Sequence, residues 1–208
     1  MQGWPIATAG LRVRGGEVRL RAVRRRDARR WSELRLADRA QLERWEPTQD
    51  GTFRELNSAM MWPAIAARQR KLARRGAVIP AAIELDGELC GQLTIGSIQW
   101  GAVSSAWIGY WVSSRYTGRG VATAALALGT DHALGAAGLH RLEATVQPEN
   151  AASVRVLERC GYRREGFLLR YLHVNGAWRD HLLVARTVEE HGRGAAELLV
   201  QAGLAERA

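Results

Sequence analysis

The sequence predicts an α/β (α+β) domain in which strands and helices follow one another along the chain. Two observations predict it. Short runs that alternate apolar and polar residues are typical of strands, and longer runs between them have the apolar spacing of helices. Between residues 106 and 160 the order is strand, glycine-rich loop, helix, strand, Asn/Ser-bearing loop and helix. With 208 residues and no internal repeat, the chain is long enough to bury one full core.

The first third of the chain predicts an arm, one strand and two helical segments. Residues 1–16 hold many glycines and few patterned apolar residues, so we expect an arm. Residues 18–23 alternate and predict the first strand. Asp27 is placed to cap the helix that follows. After a loop, residues 54–75 predict a helix that Pro63 kinks or splits.

The remainder predicts six more strands and three more helices. Strand patterns fall at 78–85, 88–100, 106–112, 141–146, 163–171 and 177–186, and helical patterns fall at 122–134, 154–160 and 195–204. The pairs Asp86-Gly87 and Asn175-Gly176 favour tight hairpin turns between neighbouring strands. We therefore expect a main domain at 17–187 and a C-terminal tail at 188–208.

The segment from Arg115 to Thr123 is the most informative part of the chain. Gly118 and Gly120 flank Arg119 where a strand gives way to a helix. Glycine reaches positive φ and lets a ligand come close to the backbone. The N-terminus of a helix presents unpaired N–H groups and the positive end of its dipole. Together these features predict a phosphate or pyrophosphate site, although an ordinary strand–helix turn is an equally good interpretation of the loop alone.

A second informative loop follows the next predicted strand. Pro148 disfavours helix at Gln147, and Asn150 is a good N-cap for the helix that carries Ser153. Two helix N-termini then lie at the carboxyl ends of neighbouring strands, which is where open α/β sheets bind ligands. Helix capping is the alternative interpretation for Asn150, and bonding to the backbone is the alternative for Ser153.

These motifs resemble the GNAT superfamily of acetyl-coenzyme A-dependent N-acetyltransferases. The resemblance is carried by Arg-x-x-Gly-x-Gly from Arg115, Pro-Glu-Asn-x-x-Ser from Pro148 and Leu-Glu-Arg-x-Gly-Tyr from Leu157. Arg44-Trp45-Glu46-Pro47 and residues 165–181 are similar, more narrowly, to Rim-type ribosomal-protein alanine N-acetyltransferases. The resemblance covers about residues 18–186. It implies a GNAT fold, with a mixed central sheet of about six to seven strands and helices on both faces.

The resemblance also implies a cofactor and an acceptor. Acetyl-coenzyme A (acetyl-CoA) is the expected cofactor, and the N-terminal alanine of a ribosomal protein is the expected acceptor. A small amine such as an antibiotic or a polyamine stays open as the acceptor, as does a non-catalytic acetyl-CoA-binding module. The candidate cofactor-binding residues are Trp111, Val112, Ser113, Arg115, Gly118, Arg119, Gly120, Val121, Ala122, Thr123, Asn150 and Ser153.

Direct attack of an amine on a thioester needs a base, an oxyanion donor and an acid. We expect Ser153 to protonate or hydrogen-bond the leaving thiolate, in keeping with the resemblance, because Leu157 stands where many members carry a tyrosine. A backbone N–H near residues 111–113 is the expected oxyanion donor. Glu46 and Glu143 are the two candidate bases, and for each an exposed carboxylate without a role is the alternative.

The last predicted strand contains Trp178, Arg179, Asp180 and His181 in succession. We expect a packed tryptophan and a structural ion pair of Arg179 with Asp180 or a neighbour, because charged residues on such strands are commonly solvated. The alternative is that these residues shape the acceptor site.

Composition and charge limit which other kinds of function we expect, such as nucleic-acid binding, metal binding or a membrane span. The chain carries 30 basic and 21 acidic residues, a net charge of +9, and nearly all the basic residues are arginine. We expect no sequence-specific nucleic-acid binding, because aromatic residues are not interleaved with the arginines. Cys90 and Cys160 are expected to be buried reduced thiols in a cytoplasmic monomer or homodimer. No metal site is expected from five scattered histidines, and no apolar run reaches membrane-spanning length.

Overall fold

A single mixed sheet forms the centre of the protein in the computed structural model, which describes residues 3–190, 192 and 194–208. Its strands are β1 (Leu11–Val13), β2 (Gly16–Ala22), β3 (Ile79–Leu85), β4 (Glu88–Gln99), β5 (Ser105–Val112), β6 (Arg141–Val146), β7 (Arg163–Val174), β8 (Ala177–Thr187) and β9 (Glu206–Arg207). They lie in the order β7-β8-β6-β5-β4-β3-β2-β1-β9. Neighbouring strands are antiparallel except β5 and β6, which are parallel.

Helices cover both faces of this sheet. They are α1 (Ala28–Ala37), α2 (Arg39–Trp45), α3 (Phe53–Leu56), α4 (Trp62–Arg74), α5 (Val121–Asp131), α6 (Ala151–Arg159) and α7 (Ala195–Gln201). Successive residues of a strand face opposite sides of a sheet. On β3, Ala81 belongs to the larger core beneath α5, α6 and α7, whereas Ala82 belongs to a smaller core with Trp31 of α1 and Trp62 of α4. The predicted mixed α/β fold is confirmed.

Helix α5 lies directly against the middle of the sheet. Nine of its residues are buried, most of them alanine, leucine or glycine. A Cβ on Gly129 would lie only 2.8 Å from Leu93 Cδ1 on β4, so the small residue permits this close approach. The close packing fixes the N-terminus of α5 beside the end of β5, where the glycine-rich loop lies.

The predicted strand count is too low, because the sheet has nine strands and six to seven were expected. The seven predicted strands are present as β2 to β8. The two additional strands lie at one edge, with β1 inside the predicted arm and β9 inside the predicted tail. They contain three and two residues, too few to show the alternation of a strand.

Two expectations about the N-terminal helices are refined by the structure. The segment 54–75 is split as predicted, into α3 and α4. Pro63 lies in the first turn of α4, where a missing N–H costs nothing. Asp27 does not cap α1. Its carboxylate instead accepts from the backbone N–H of Arg24, at 2.7 Å, and from the Arg21 guanidinium. Asp27 therefore closes the short 3-10 turn that precedes the helix.

The two predicted hairpin turns and the tail are well defined. Asn175 and Gly176 have φ of 47° and 79°, and Asp86 and Gly87 have φ of 50° and 83°, as type I′ turns require. The tail packs on α5, since the first N–H groups of α7 donate to the Asp131 carboxylate. The division into arm, main domain and tail remains a prediction. Among the described residues, none of the helices combines the length and the apolar composition that a membrane span needs.

Candidate active site

The central feature of the site is a gap between β5 and β6. These parallel strands pair over only three residue pairs, which end at Trp107 and Glu143. Beyond them the strands separate, and a cavity of about 490 Å³ opens between residues 108–112 of β5 and residues 144–146 of β6, with Gln147 just after β6. A cavity of this size is typical of small-molecule and cofactor sites.

The glycine-rich loop and the N-terminus of α5 form one wall of this cavity. Gly118 and Gly120 have φ of 73° and 86°, so both adopt the left-handed backbone that the sequence predicted for them. Gly120 is the N-cap of α5, and no side chain caps the helix. The first N–H groups of α5 therefore have no partner within the helix. Gly118, Gly120, Val121, Ala122 and Thr123 all line the cavity.

The predicted arm supports this loop. Gly15, in the turn between β1 and β2, donates its N–H to the Arg119 carbonyl oxygen at 3.2 Å. A Cβ on Gly120 would lie 3.2 Å from Cβ of Val13. The side chains of Arg115 and Arg119 are exposed beside the loop and do not line the cavity.

Helix α6 forms the opposite wall and brings Asn150 and Ser153 into the cavity. The Asn150 side chain accepts from the Ser153 backbone N–H at 3.1 Å, so Asn150 is the N-cap of α6 as predicted. The Ser153 hydroxyl oxygen lies 2.9 Å from the Tyr110 hydroxyl on β5. The capping interaction is thus made by Asn150, and the hydroxyl of Ser153 is directed across the cavity to Tyr110.

The sequence interpretation missed Tyr110. Burial raises the pKa of its phenol, and the hydrogen bond with Ser153 only partly offsets that effect, so Tyr110 keeps its proton at neutral pH. Tyr110 alternates with Ile108 and Val112 on one face of β5. Tyr110 was identifiable from the sequence, because it is a tyrosine on the apolar face of the strand that leads into the glycine loop.

The strand end at Trp111, Val112 and Ser113 does not offer three equivalent donors. The Ser113 N–H donates to the Cys90 carbonyl oxygen of β4 at 2.9 Å, so it faces away from the cavity. In an antiparallel ladder, alternate residues direct their N–H groups to the same side. The Val112 N–H therefore points to the opposite side, into the gap between β5 and β6. Trp111 and Val112 line the cavity, whereas Ser113 does not.

A second cavity of about 400 Å³ adjoins the first one. It lies between α1, α2, the loop at residues 47–51, α3 and the turn of the β7–β8 hairpin. Its loop is held to that hairpin by Thr48, whose N–H donates to the His173 carbonyl oxygen at 2.8 Å. Glu46 lines both cavities and stands where they meet.

Glu46 is held by a buried arginine. Its two carboxylate oxygens accept from Nη1 and Nη2 of Arg35, at 2.9 Å and 2.5 Å. The Arg35 guanidinium also packs over the ring of Trp111, 5.2 Å from its centroid, and donates to Asn57. Both oxygens of Glu46 are therefore engaged by N–H donors.

Glu143 lies in a different place. Its carboxylate accepts from Arg141 Nε at 2.7 Å, it is 39% exposed, and it lines neither cavity. The structure therefore does not bring Glu143 together with Ser153 and Glu46.

The Trp178–His181 cluster differs from the expected arrangement. No ion pair of Arg179 is present among the described residues, and the Asp180 carboxylate instead accepts from the Arg170 backbone N–H at 2.7 Å. Trp178 is 62% exposed rather than packed. His181 is only 3% exposed and lines the first cavity. The sequence interpretation therefore gave too little weight to His181.

The two cysteines are buried and unpaired, as expected. Burial raises the pKa of both Cys90 and Cys160 to about 12, so both are thiols at neutral pH. In the part of the chain that the structure describes, no group of three or more His, Cys, Asp or Glu residues is placed to hold a metal ion.

Comparison with known proteins identifies the class to which this fold and site belong. Residues 17–163 match the family described as acetyltransferase (GNAT) domain. The chain belongs to this family, and it is an N-acetyltransferase that uses acetyl-CoA.

Particular relatives resemble the chain over different lengths. The structure of Mycobacterium smegmatis RimJ in complex with CoA-disulfide is 55% identical, with a TM-score of 0.98 over 100% of this chain and 99% of that one. A ribosomal protein uS5-alanine N-acetyltransferase of Escherichia coli is 25% identical over 91% of this chain and 97% of its own length. A probable N-acetyltransferase of Bacillus subtilis is 39% identical over 48% of this chain, and the match spans about half, 55%, of that relative.

The donors around the first cavity fit acetyl-CoA. The α5 N-terminus offers unpaired N–H groups to phosphates without a side chain in the way. Gln147 lines the same cavity, and its side-chain nitrogen is buried without a hydrogen-bond partner among the described residues. Because a buried unsatisfied donor is costly, this amide is suited to an acceptor atom of a ligand such as the pantetheine arm.

Proposed function

We propose that this N-acetyltransferase modifies the N-terminal amine of a protein, and that its acceptor is the N-terminal alanine of a ribosomal protein. The observation that carries the proposal is the second cavity, which shares Glu46 with the first one. A small amine needs only the first cavity, whereas a polypeptide needs room for the residues after its terminus. The E. coli relative, which is a uS5-alanine N-acetyltransferase, supports the identity of the acceptor. If the acceptor is a ribosomal protein, the enzyme works in the cytoplasm, and we propose that location.

We assign cofactor binding to the backbone of the glycine loop. The N–H groups from Gly118 to Thr123 hold the phosphates, and the exposed guanidinium groups of Arg115 and Arg119 add positive potential beside them. Gln147 and Asn150 line the path toward the reacting end and supply amide groups to the pantetheine arm. Acetyl-CoA supplies an acetyl group activated as a thioester.

The residues at the strand gap carry the chemistry in this proposal. The Val112 N–H, which points into the gap, is the donor to the developing oxyanion. Ser153 is the proton donor to the leaving sulfur. Because Tyr110 keeps its proton at neutral pH, its hydroxyl is able to donate to Ser153 Oγ, which lies 2.9 Å away, and we assign it that role. The Ser153 proton is then free to point toward the sulfur.

Glu46 has a binding role in this proposal. Its carboxylate lies where the two cavities meet, with Arg35 fixing its orientation. The amino terminus of a polypeptide reaches the thioester past this point as an ammonium ion. A fixed negative group attracts that ammonium and aligns it. Glu143 is not retained as a candidate, because it lines neither cavity.

Acetyl transfer to a defined panel of acceptors tests the proposal. The panel holds a peptide that begins with the alanine of a ribosomal protein, the same peptide with a blocked N-terminus, spermidine, an aminoglycoside and free alanine. Mass spectrometry is expected to find one acetyl group on the N-terminus of the unblocked peptide. Acetylation of spermidine or the aminoglycoside at a higher kcat/KM than the peptide contradicts it and favours a small-molecule acceptor.

A further inference from the structure

We infer that His181 is the general base that takes the proton from the acceptor amine. The inference rests on the proposed amine acceptor. It assigns the base to a residue outside the two carboxylates, Glu46 and Glu143, that the sequence suggested.

His181 lies at the open end of the gap between β5 and β6. On β8 it precedes Leu182, which pairs with Val146, the last residue of β6. His181 therefore lies beside the carboxyl end of β6, where the cavity between β5 and β6 is open. It lines this cavity together with Tyr110 and Ser153, and its ring is almost entirely buried.

One hydrogen bond sets the tautomer of the ring. Nδ1 of His181 lies 3.0 Å from the carbonyl oxygen of Arg179. A carbonyl oxygen only accepts, so Nδ1 must carry a hydrogen. In the neutral ring the lone pair is then on Nε2, and Nε2 has no hydrogen-bond partner among the described residues. The nitrogen that remains available to a ligand is the one that accepts protons.

A β-bulge holds the ring in place. Leu168 pairs with His181 and Leu172 pairs with Arg179, so three residues of β7 oppose the single residue Asp180 of β8. Asp180 stabilises the bulge by accepting from the backbone N–H of Arg170, at 2.7 Å, whose φ is 46°. The bulge directs Tyr171 against His181, with ring centroids 5.7 Å apart and an edge-to-face angle of 69°.

The other ionisable groups near His181 are less suited to this role. The ionisable residues that line the cavity with it are Glu46, Tyr110, Tyr116, Arg155 and Arg159, and those that flank it on β7 and β8 are Tyr171, Arg179 and Asp180. Arginines hold their protons at working pH. Glu46 is engaged by Arg35, and Asp180 is engaged by Arg170. Tyr110 keeps its proton because burial raises its pKa.

The proposed step moves one proton. An N–H bond of the acceptor ammonium breaks, an Nε2–H bond forms on His181, and the amine nitrogen keeps the electron pair that it uses for attack. As Ser153 gives its proton to the leaving sulfur, its Oγ takes the second proton that the nitrogen loses, so Ser153 ends unchanged. The imidazolium then returns its proton to water through the open cavity, so the net products include one released proton.

The test compares pH profiles of kcat/KM for the wild type, His181→Gln, Glu46→Gln and a control, His140→Gln, with the alanine peptide as acceptor. His140 is exposed, pairs with Glu189 and lines neither cavity. His181→Gln is expected to lose about 100-fold at pH 7, a usual scale for a general base, and to recover part of it as the pH rises. Its affinity for acetyl-CoA, measured by calorimetry, stays within about twofold of wild type, which also shows that the variant is folded.

A second measurement needs no variant. Imidazole nitrogen NMR of the wild type is expected to show that Nδ1 of the neutral His181 ring carries the hydrogen and that Nε2 does not. A ring protonated at Nε2 overturns the inference, and so does a pH profile of His181→Gln that matches wild type. Loss and high-pH recovery in Glu46→Gln alone also overturns it, because the base is then the carboxylate. A wild type that acetylates no peptide contradicts the proposed function instead, and the NMR result still decides the tautomer.

Discussion

The two halves of the active site are built in different ways. In the cofactor half, the working groups are backbone N–H groups and side chains that are close in sequence, such as Gly118 with Gly120 and Asn150 with Ser153. In the acceptor half, the contacts join distant segments. Thr48 and His173, which hold the loop to the hairpin, are 125 residues apart.

The difference shows what each half requires of the chain. A phosphate is held by the backbone at a helix N-terminus, so the half that binds it depends on glycine and capping residues at fixed spacing. An acceptor is selected by the shape and charge of side chains that only the completed fold brings together. Damage to one half is therefore expected to leave the other half working, and the following predictions test that separation.

The largest effect is expected for Gly120→Asp in the cofactor half. The substitution puts a side chain on a left-handed backbone with φ of 86°, next to Val13, and adds a negative charge near the phosphates. Affinity for acetyl-CoA should fall by several kcal/mol in calorimetry. Gly87→Asp is the matched control, because Gly87 has a similar φ of 83° and open space around it. Equal affinity of a folded Gly120→Asp protein and the wild type would rule out the assigned phosphate site.

The next effect is expected for Ser153→Ala. Loss of the proton donor should lower kcat by about 100-fold, with little change in the affinity for acetyl-CoA. Because Asn150 supplies the cap of α6, thermal stability should also change little. If Ser153 serves only the helix, the variant instead loses about 1 kcal/mol of unfolding free energy and keeps its kcat. Tyr110→Phe is expected to lower kcat in the same direction, by a smaller factor, since it removes only the donor to Ser153.

Arg35→Met addresses the acceptor half. It leaves the partly buried Glu46 without its partner, which is expected to lower the unfolding free energy by about 2–3 kcal/mol. The KM for the alanine peptide should rise while calorimetry shows unchanged affinity for acetyl-CoA. Arg29→Met, which breaks the exposed Arg29–Glu33 pair of α1 outside both cavities, is the control and is expected to behave like wild type in both assays. An equal loss of acetyl-CoA affinity in Arg35→Met would show that the two halves are not separate.

The smallest effect is expected for Asn175→Ala in the β7–β8 turn. Asn175 has φ of 47°, a conformation that asparagine tolerates better than alanine. Denaturant unfolding should show a loss of about 1 kcal/mol. Because this turn lines the second cavity, the KM for the peptide should rise modestly and kcat should not change. A change in kcat with unchanged KM would mean that the turn acts on the chemistry rather than on the acceptor.

The same comparison explains what the sequence predicted and what it did not. The glycine loop, the Asn150 cap and seven strands were predictable, because each depends on residue types at short spacing. The strand β1 was not predictable, because three residues are too few to show the alternation of a strand. Its Val13 nevertheless supports the loop. The roles assigned to Arg35 and His181 were not predictable, because they depend on partners elsewhere in the fold. Glu143 was one of the two candidate bases because of its place on a strand, but its side chain is bound to Arg141 outside the cavity.

In the proposed function, the second cavity receives the residues that follow the acceptor's N-terminus. The most direct test measures kcat/KM of the wild type for alanine amide and for a series of alanine-initiated ribosomal-protein peptides of increasing length. We expect kcat/KM to rise at least about tenfold over the first few residues, as the peptide fills the second cavity, and then to level off, while the KM for acetyl-CoA stays constant. A kcat/KM that is the same for alanine amide and the longest peptide would contradict it.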